Sequence, residues 1–343
     1  MPRTTRHTRP TMKDVAQRAG VSRALVSIVM RGQPGASPTN RERVMQAAQE
    51  LGYTLDVNAR RLRESTSRVL GVTFEGHDPF TARLLDAAHT AAVERGLDVV
   101  LTMTGQSVPL SKALSTLHDS RCLATLVISS ITPDIGVLPL LDSTPTAFVG
   151  AYCPPGLEGR VSAAHTDDAA GITLMVDHLY TLGHRDVAVM RVTGRTSGDI
   201  RANTAIERAH ALGMQIREFL VDGYEEAHGV AAGLEFVALD KASQPTAVMC
   251  ANDSLALGMM HVLSQAGIHV PHDVSLTGFD DAGSGPWPTA ASLGLTTVRQ
   301  NVDAITASAM DSILRVARSS DDHTQSVLTP ELIVRSSSAA PSH

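Results

Sequence analysis

The sequence predicts an α/β fold: a small helical head followed by two doubly wound, parallel-sheet units. Three observations carry that expectation. Residues 11–31 hold two helix-start signals separated by a glycine turn. From Arg68 onward, continuous apolar runs of strand length alternate with amphipathic segments of helix length, the pattern of parallel sheets covered on both faces. Charge divides at the same place: residues 1–68 carry 13 Lys and Arg against 5 Asp and Glu, net +8, and the rest carries 16 against 30, net −14. A basic head on an acidic body lets one small part grip a polyanion while the rest stays off it.

The first helix is expected just after Thr11, which forms a capping box with Asp14, and it ends at the Ala19-Gly20-Val21 turn. Ser22 stands where a second N-cap belongs. Two short capped helices joined in this way form a helix-turn-helix, whose second helix presents its first residues to base edges in a major groove. Any small helical hairpin shares the pattern, and the net +8 is what favours the DNA-binding reading. A third helix is predicted from Pro38 to about Leu51, with Ser37 as N-cap and Gly52 after its end. Val44, Ala47, Ala48 and Leu51 recur on one face of it and would pack on Val15, Ala16, Val26 and Val29. Residues 1–54 are therefore the DNA-binding head, and 55–67 a polar hinge or linker with marginal helical character.

Candidate strands follow at 69–74, 97–103, 123–129, 146–150, 187–192, 246–251 and 274–279, and between most of them lie helix-length segments such as 80–95, 168–182, 198–212 and 253–266. They divide into two units, 68–165 and 166–297. An extended piece at 295–300, a helix over about 301–318 and a strand-like 326–335 are surplus to that count. They are expected to cross back, 301–327 completing the first unit and 328–336 the second. The serine-rich 337–343 is expected to be disordered.

At 343 residues the chain is long enough for a head and such a body. Cys122, Cys153 and Cys250 are odd in number and widely spaced, which argues against a disulfide framework or a zinc finger and for a reducing cytoplasm. The N-terminus lacks an apolar signal core, and no apolar run approaches membrane-spanning length, so no membrane partner is expected. There is no GxSxG, no Walker A and no GxGxxG after the first strand, and nothing asks for catalysis or a cofactor. His165, Asp167 and Asp168 invite a metal reading, but no second cluster completes a site, and a structural role is expected.

TMKDVAQRAGVS (11–22), SPTNRERV (37–44), ELGY (50–53) and NARRL (58–62) resemble the head of the lactose-repressor/galactose-repressor (LacI/GalR) family of bacterial transcription regulators. The likeness continues through DPF (78–80), Asp167-x-x-x-Gly171, HLYTLGH (178–184), PTAVMCAND (245–253), GFDD (278–281) and LTTVRQ (295–300). It implies a periplasmic-binding-protein-like core with an effector between its two subdomains. Thr11, Ser22, Ser27, Ser37 and Asn40 match phosphate-contacting positions, and Arg23 and Ala24 the base-reading start of the recognition helix. Asn58 and Ala59 fall in the hinge with Leu62, which matches a leucine that wedges into the minor groove at the operator centre. Ile28, Leu25 and Arg31 depart from the arginine, threonine and asparagine of many relatives. Ile28 cannot hydrogen-bond guanine, so specificity leans on Arg23, Arg31 and apolar contact with thymine methyls.

In the body the resemblance implies an effector site at Phe80, Arg201, Asn252 and Asp280: a ring wall, a guanidinium fork, an amide and a carboxylate, a set suited to a sugar or sugar derivative. Tyr224 and Trp287 are candidate stacking walls. The plainer alternatives are that Asn252 caps a helix, that Asp280 shapes a turn, and that Trp287 belongs to a solvent loop. Gly150 stands where some sugar-responsive relatives have an aspartate, and Arg195 replaces a common proline. The expected protein is a cytoplasmic repressor that binds palindromic double-stranded operator DNA as a homodimer, with affinity modulated by the effector. A dimer is expected because no leucine heptad appears in the serine-rich tail. The alternative is a soluble sugar-binding protein of a transport system, which shares the body and has no use for the head.

Overall fold

The computed structural model describes residues 10–30, 32–53, 67–76, 78–105, 107–129, 134–282, 290–319 and 322–342. The chain divides into two compact units, residues 1–67 and 68–343.

In the head, helices α1 (Met12–Ala19), α2 (Arg23–Met30) and α3 (Pro38–Leu51) form as their caps dictate. Thr11 Oγ1 accepts from the Asp14 amide, and the Asp14 carboxylate accepts from the Thr11 amide at 2.7 Å. Ser22 Oγ accepts from the Leu25 amide and Ser37 Oγ from the Asn40 amide. Gly20 closes α1 in the left-handed region at φ 65°, and the Arg43 guanidinium of α3 donates to the Ala19 carbonyl at 2.7 Å, holding the turn. Val15, Val26, Val29 and Val44 are all but fully buried, as their spacing predicts, and Ala19 and Tyr53 join them in the same cluster. Burying each valine contributes about 1.5 kcal/mol or somewhat more, which holds together helices too short to persist alone.

Among the described residues the body contains two six-stranded sheets. The first, β11-β5-β4-β3-β1-β2, is parallel throughout and comprises β1 (Val69–Phe74), β2 (Asp98–Met103), β3 (Ala124–Ile128), β4 (Thr146–Val149), β5 (Ser162–Thr166) and β11 (Gln325–Leu328). Leu126 and Ile128 face one layer, containing α4 (Pro79–Glu94) and α11 (Val302–Ser319). Val127 faces the other, where Leu110 and Leu114 of α5 (Leu110–Asp119) and Leu141 of α6 (Leu138–Leu141) lie. The second sheet runs β12-β10-β9-β8-β6-β7, from β6 (Asp186–Val192), β7 (Gln215–Val221), β8 (Ala247–Met249), β9 (Ser275–Asp280), β10 (Thr296–Arg299) and β12 (Glu331–Ile333). Its helices are α7 (Asp168–Thr181), α8 (Thr196–Ala211), α9 (Glu226–Ala238) and α10 (Asp253–Gln265).

Three details differ from expectation. β5 and β7 were not foreseen: β5 is built from Ser, Ala, His and Thr, small or polar residues that bury fully but make no apolar run, and β7 is an edge strand in which Gln215 and Glu218 are exposed and Arg217 is half-buried. The strand-like 326–335 is two strands, β11 in the first sheet and β12 in the second, parted by Thr329-Pro330. β12 arrives antiparallel to β10, so the second sheet is not wholly parallel. The third is a correction: the described tail, 337–342, is ordered. Ser337 sits between two strands, its Oγ donating to the Leu276 carbonyl at 2.6 Å and accepting from the Thr296 amide at 2.8 Å, and the Ala339 carbonyl meets Nε2 of buried His184 at 2.9 Å. Serine hydroxyls here satisfy buried backbone groups, so polarity signals inserted structure rather than disorder.

Three segments cross between the subdomains: Asp167, Gln300-Asn301 and Thr329-Pro330. They are tied together. Thr166 Oγ1 donates to Gln300 Oε1 at 2.6 Å, and the Asp167 amide donates to the Leu328 carbonyl at 2.9 Å.

Candidate functional site

Ser22, Arg23 and Ala24 are exposed at the N-terminus of α2, and Ser27 and Ile28 lie half-buried one turn further on. Thr11, Ser22 and Ser37 cap their helices, which points each hydroxyl along a helix N-terminus beside free backbone amides, the arrangement that receives phosphate oxygens. Asn40 follows in the first turn of α3. Arg31, Asn58, Ala59 and Leu62 lie outside the described residues.

In the body, the loops after β1, β3 and β4 face those after β6, β7, β8 and β9 across a cavity of about 120 Å³. Carboxyl ends of parallel strands are where open α/β sheets bind ligands, because the helices that follow point their N-termini there. Phe80, Arg201, Tyr224, Asn252 and Asp280 all line this one cavity, although they are spread over 200 positions of sequence. Trp287 lies outside the described residues.

The structure also shows how each is held. Arg201 is 6% exposed: Nε lies 2.9 Å from Asp168 Oδ1, one terminal nitrogen donates to the Ala251 carbonyl at 2.6 Å, and the guanidinium stacks 3.6 Å over the Phe279 ring. Burial opposes its charge, but the Asp168 carboxylate prevails and raises its pKa. Asn252 Oδ1 caps α10 through the Leu255 amide while Nδ2 donates to the Tyr224 carbonyl, so the capping alternative holds and the residue still borders the cavity. The Tyr224 hydroxyl meets Ser197 Oγ at 2.7 Å. Asp280 has φ 119°, a strained value for a residue other than glycine, and accepts from Gln300 Nε2 at 2.7 Å. Burial pushes its carboxyl well above the ordinary range against the pull of Arg201, with Asp253 and Asp78 adding repulsion. Asp253 itself, buried and beside Asp281, is raised to about 7.

Sequence reasoning missed Glu75, Ser129 and Gln300, and left Arg195 without a partner. Arg195 forks onto Glu75 across the cleft, both bonds at 3.1 Å, and Ser129 Oγ supports the same carboxylate at 2.9 Å. The available signal was position: Glu75 and Ser129 each directly follow a strand. Gly150 has φ 68°, and a Cβ there would lie 2.8 Å from Leu84 Cδ1 and 3.2 Å from Phe80 Cε1. An aspartate at this position would be strained and would clash with Leu84 and crowd Phe80.

Residues 11–56 match the bacterial regulatory proteins of the lacI family, and residues 176–338 match the periplasmic binding protein-like domain. The HTH-type transcriptional regulator GalR of Escherichia coli (strain K12) is 32% identical over 339 residues, covering 97% of this chain and 96% of its own. A LacI transcriptional regulator from a Rhodococcus species superposes with a TM-score of 0.72 at 30% identity, over 80% of this chain and all of its own. A transcriptional regulator CelR–cellobiose complex superposes with a TM-score of 0.66 at 28% identity, over 96% of this chain and all of its own. A capped recognition helix on a basic head, a ligand cleft at the strand ends, and these likenesses over nearly the full chain lead to one conclusion: the chain belongs to the lacI family of bacterial regulatory proteins and is a DNA-binding transcriptional regulator.

Proposed function

We propose that the chain is a repressor that binds a palindromic operator as a homodimer and is modulated by a small carbohydrate held between the two subdomains of the body. The observation that carries this reading is the convergence of Phe80, Arg201, Tyr224, Asn252 and Asp280 on one cavity bounded by both subdomains. A flat ring, an amide and carboxyls around a small cleft suit vicinal hydroxyls, which both donate and accept. The complex of the related CelR with cellobiose supports the ligand class. On this reading the effector contacts both walls, shifts the subdomains about the three tied crossings, and so changes which arrangement of residues 55–67 the dimer favours. Leu62 then inserts at the operator centre in one state and not in the other. Domain limits are proposed at 1–54, 55–67, 68–165 with 301–327, and 166–297 with 328–336.

Selecting bound fragments from random DNA with the full chain, with and without neutral saccharides, tests the reading. An enriched inverted repeat whose recovery changes with one saccharide is the expected result. Enrichment without symmetry, or recovery indifferent to every saccharide, would overturn the operator or the effector half respectively.

A further inference from the structure

Both guanidinium groups that line the cleft already face a carboxylate. Arg201 is claimed by Asp168, and Arg195 by the bidentate bond to Glu75, whose side chains are only 24% and 22% exposed. Beside the phenol of Tyr224, the other ionisable groups on the lining among the described residues are Asp78, Glu225 and Asp280. Among the described residues none of these three is paired with a lysine or arginine, and Glu225 meets only His228, at 3.4 Å. Among the described residues the cavity is thus bordered by four carboxyl groups and two guanidiniums, with Asp168 behind one of the two.

Helix N-termini are a second source of positive potential; those of α4 and α10 are capped by side chains, and that of α9, which has no side-chain cap, carries Glu225 as N-cap and Glu226 in its first turn. Asp78 accepts from the amides of Phe80 and Thr81 at the start of α4, and Asn252 accepts from Leu255 at the start of α10. The start of α8 has no side-chain cap, but Asp199 lies in its first turn and Glu75 lies against its N-cap, Arg195. A phosphate or carboxylate entering here would have to part Arg195 from Glu75 and leave that largely buried carboxylate, 22% exposed, without its cation on the lining it shares with Asp78. Neutral hydroxyls instead donate to the same carboxyls and leave both pairs intact.

We propose that this cleft selects uncharged effectors, and that Glu75 enforces the selection by occupying Arg195. The inference deepens the carbohydrate reading and rests on it for the location of the site. Isothermal titration of the full chain tests it with galactose, ribose, maltose and cellobiose, with galactose 1-phosphate, galacturonate and ribose 5-phosphate as anionic counterparts, and with hypoxanthine as a neutral ligand of another class. The expected result is a neutral binder whose anionic counterpart is weaker by roughly tenfold or more. Glu75→Gln should narrow that gap by freeing Arg195, and Arg195→Met, which leaves Glu75 unpaired, should widen it, with folding checked by circular dichroism. An anionic form that binds as tightly as its neutral parent, or a gap that neither variant moves, would overturn the proposal. Hypoxanthine binding in place of every sugar would overturn the carbohydrate reading, and the charge selection would then stand if the anionic nucleobase orotate bound at least about tenfold more weakly and fall if it bound as tightly.

Discussion

Arg201 looks in the sequence like a ligand-binding fork, and in the fold it is also half of a buried ion pair. Its partner Asp168 is 3% exposed, so removing the guanidinium strands a carboxylate in the core. Arg201→Ala should therefore lower stability by about 3–5 kcal/mol in urea denaturation, in addition to any loss of effector binding. An unchanged unfolding midpoint would show that the pair is not structural. Asp253 provides a second residue-scale test. Its folded pKa, about 7, lies above the ordinary value of 3.8, so the stability linked to its proton is complete below that ordinary value and is lost as pH rises through 7. Compared with Asp253→Asn, the wild-type chain should lose stability between about pH 4 and pH 7 and then level off. Parallel stability profiles for the two proteins would show that the carboxyl does not titrate there.

At the scale of elements, α2 separates two roles that neighbour each other in sequence. Ser22 caps the helix, so Ser22→Ala should cost the head about 1 kcal/mol and weaken binding to all DNA sequences alike. Arg23 is exposed, so Arg23→Ala should leave stability nearly unchanged and relax one base preference per half-site by about 1–3 kcal/mol. Thermal melts combined with fragment selection distinguish the two outcomes. The tail behaves as an element too, although no strand is assigned to it. Truncation after Ser336 unpairs the Leu276 carbonyl and the Thr296 amide and removes a partner of buried His184. Each buried polar group left unsatisfied costs about 1–3 kcal/mol, so the truncated chain should melt markedly earlier. Wild-type melting would show that water replaces these bonds.

Over the whole molecule, β2 and β7 occupy the outer edges of their sheets and carry exposed Leu101, Met103 and Leu220. Among the described residues these edges are unpaired, and edges with large apolar side chains invite burial against another chain, which fits the proposed homodimer. Leu101→Glu combined with Leu220→Glu should convert a dimer to a monomer in light scattering and weaken operator binding far more than non-specific binding. A variant that remains dimeric would place the interface elsewhere.

The head was legible in the sequence because its signals are local. A hydroxyl before a helix, a glycine after it and valines at helical spacing act within a few residues, and the structure repeats them almost position for position. Most body strands and helices were legible for the same reason, and of the six proposed effector residues five line one cavity, four of them placed by the family resemblance and Tyr224 as a candidate stacking wall. Trp287 and the hinge residues lie outside the described residues and add nothing to that comparison. What the sequence could not determine depends on residues far apart in the chain. Glu75 and Arg195 are 120 positions apart and meet only because both follow strands whose carboxyl ends face one cleft. β5 buries without an apolar run because β4 and β11 flank it and α11 packs over its face, and Ser337 is ordered because two strands lend it backbone partners. Local propensity is written residue by residue, whereas the pairing of charges and the satisfaction of buried polar groups depend on what the completed fold brings together.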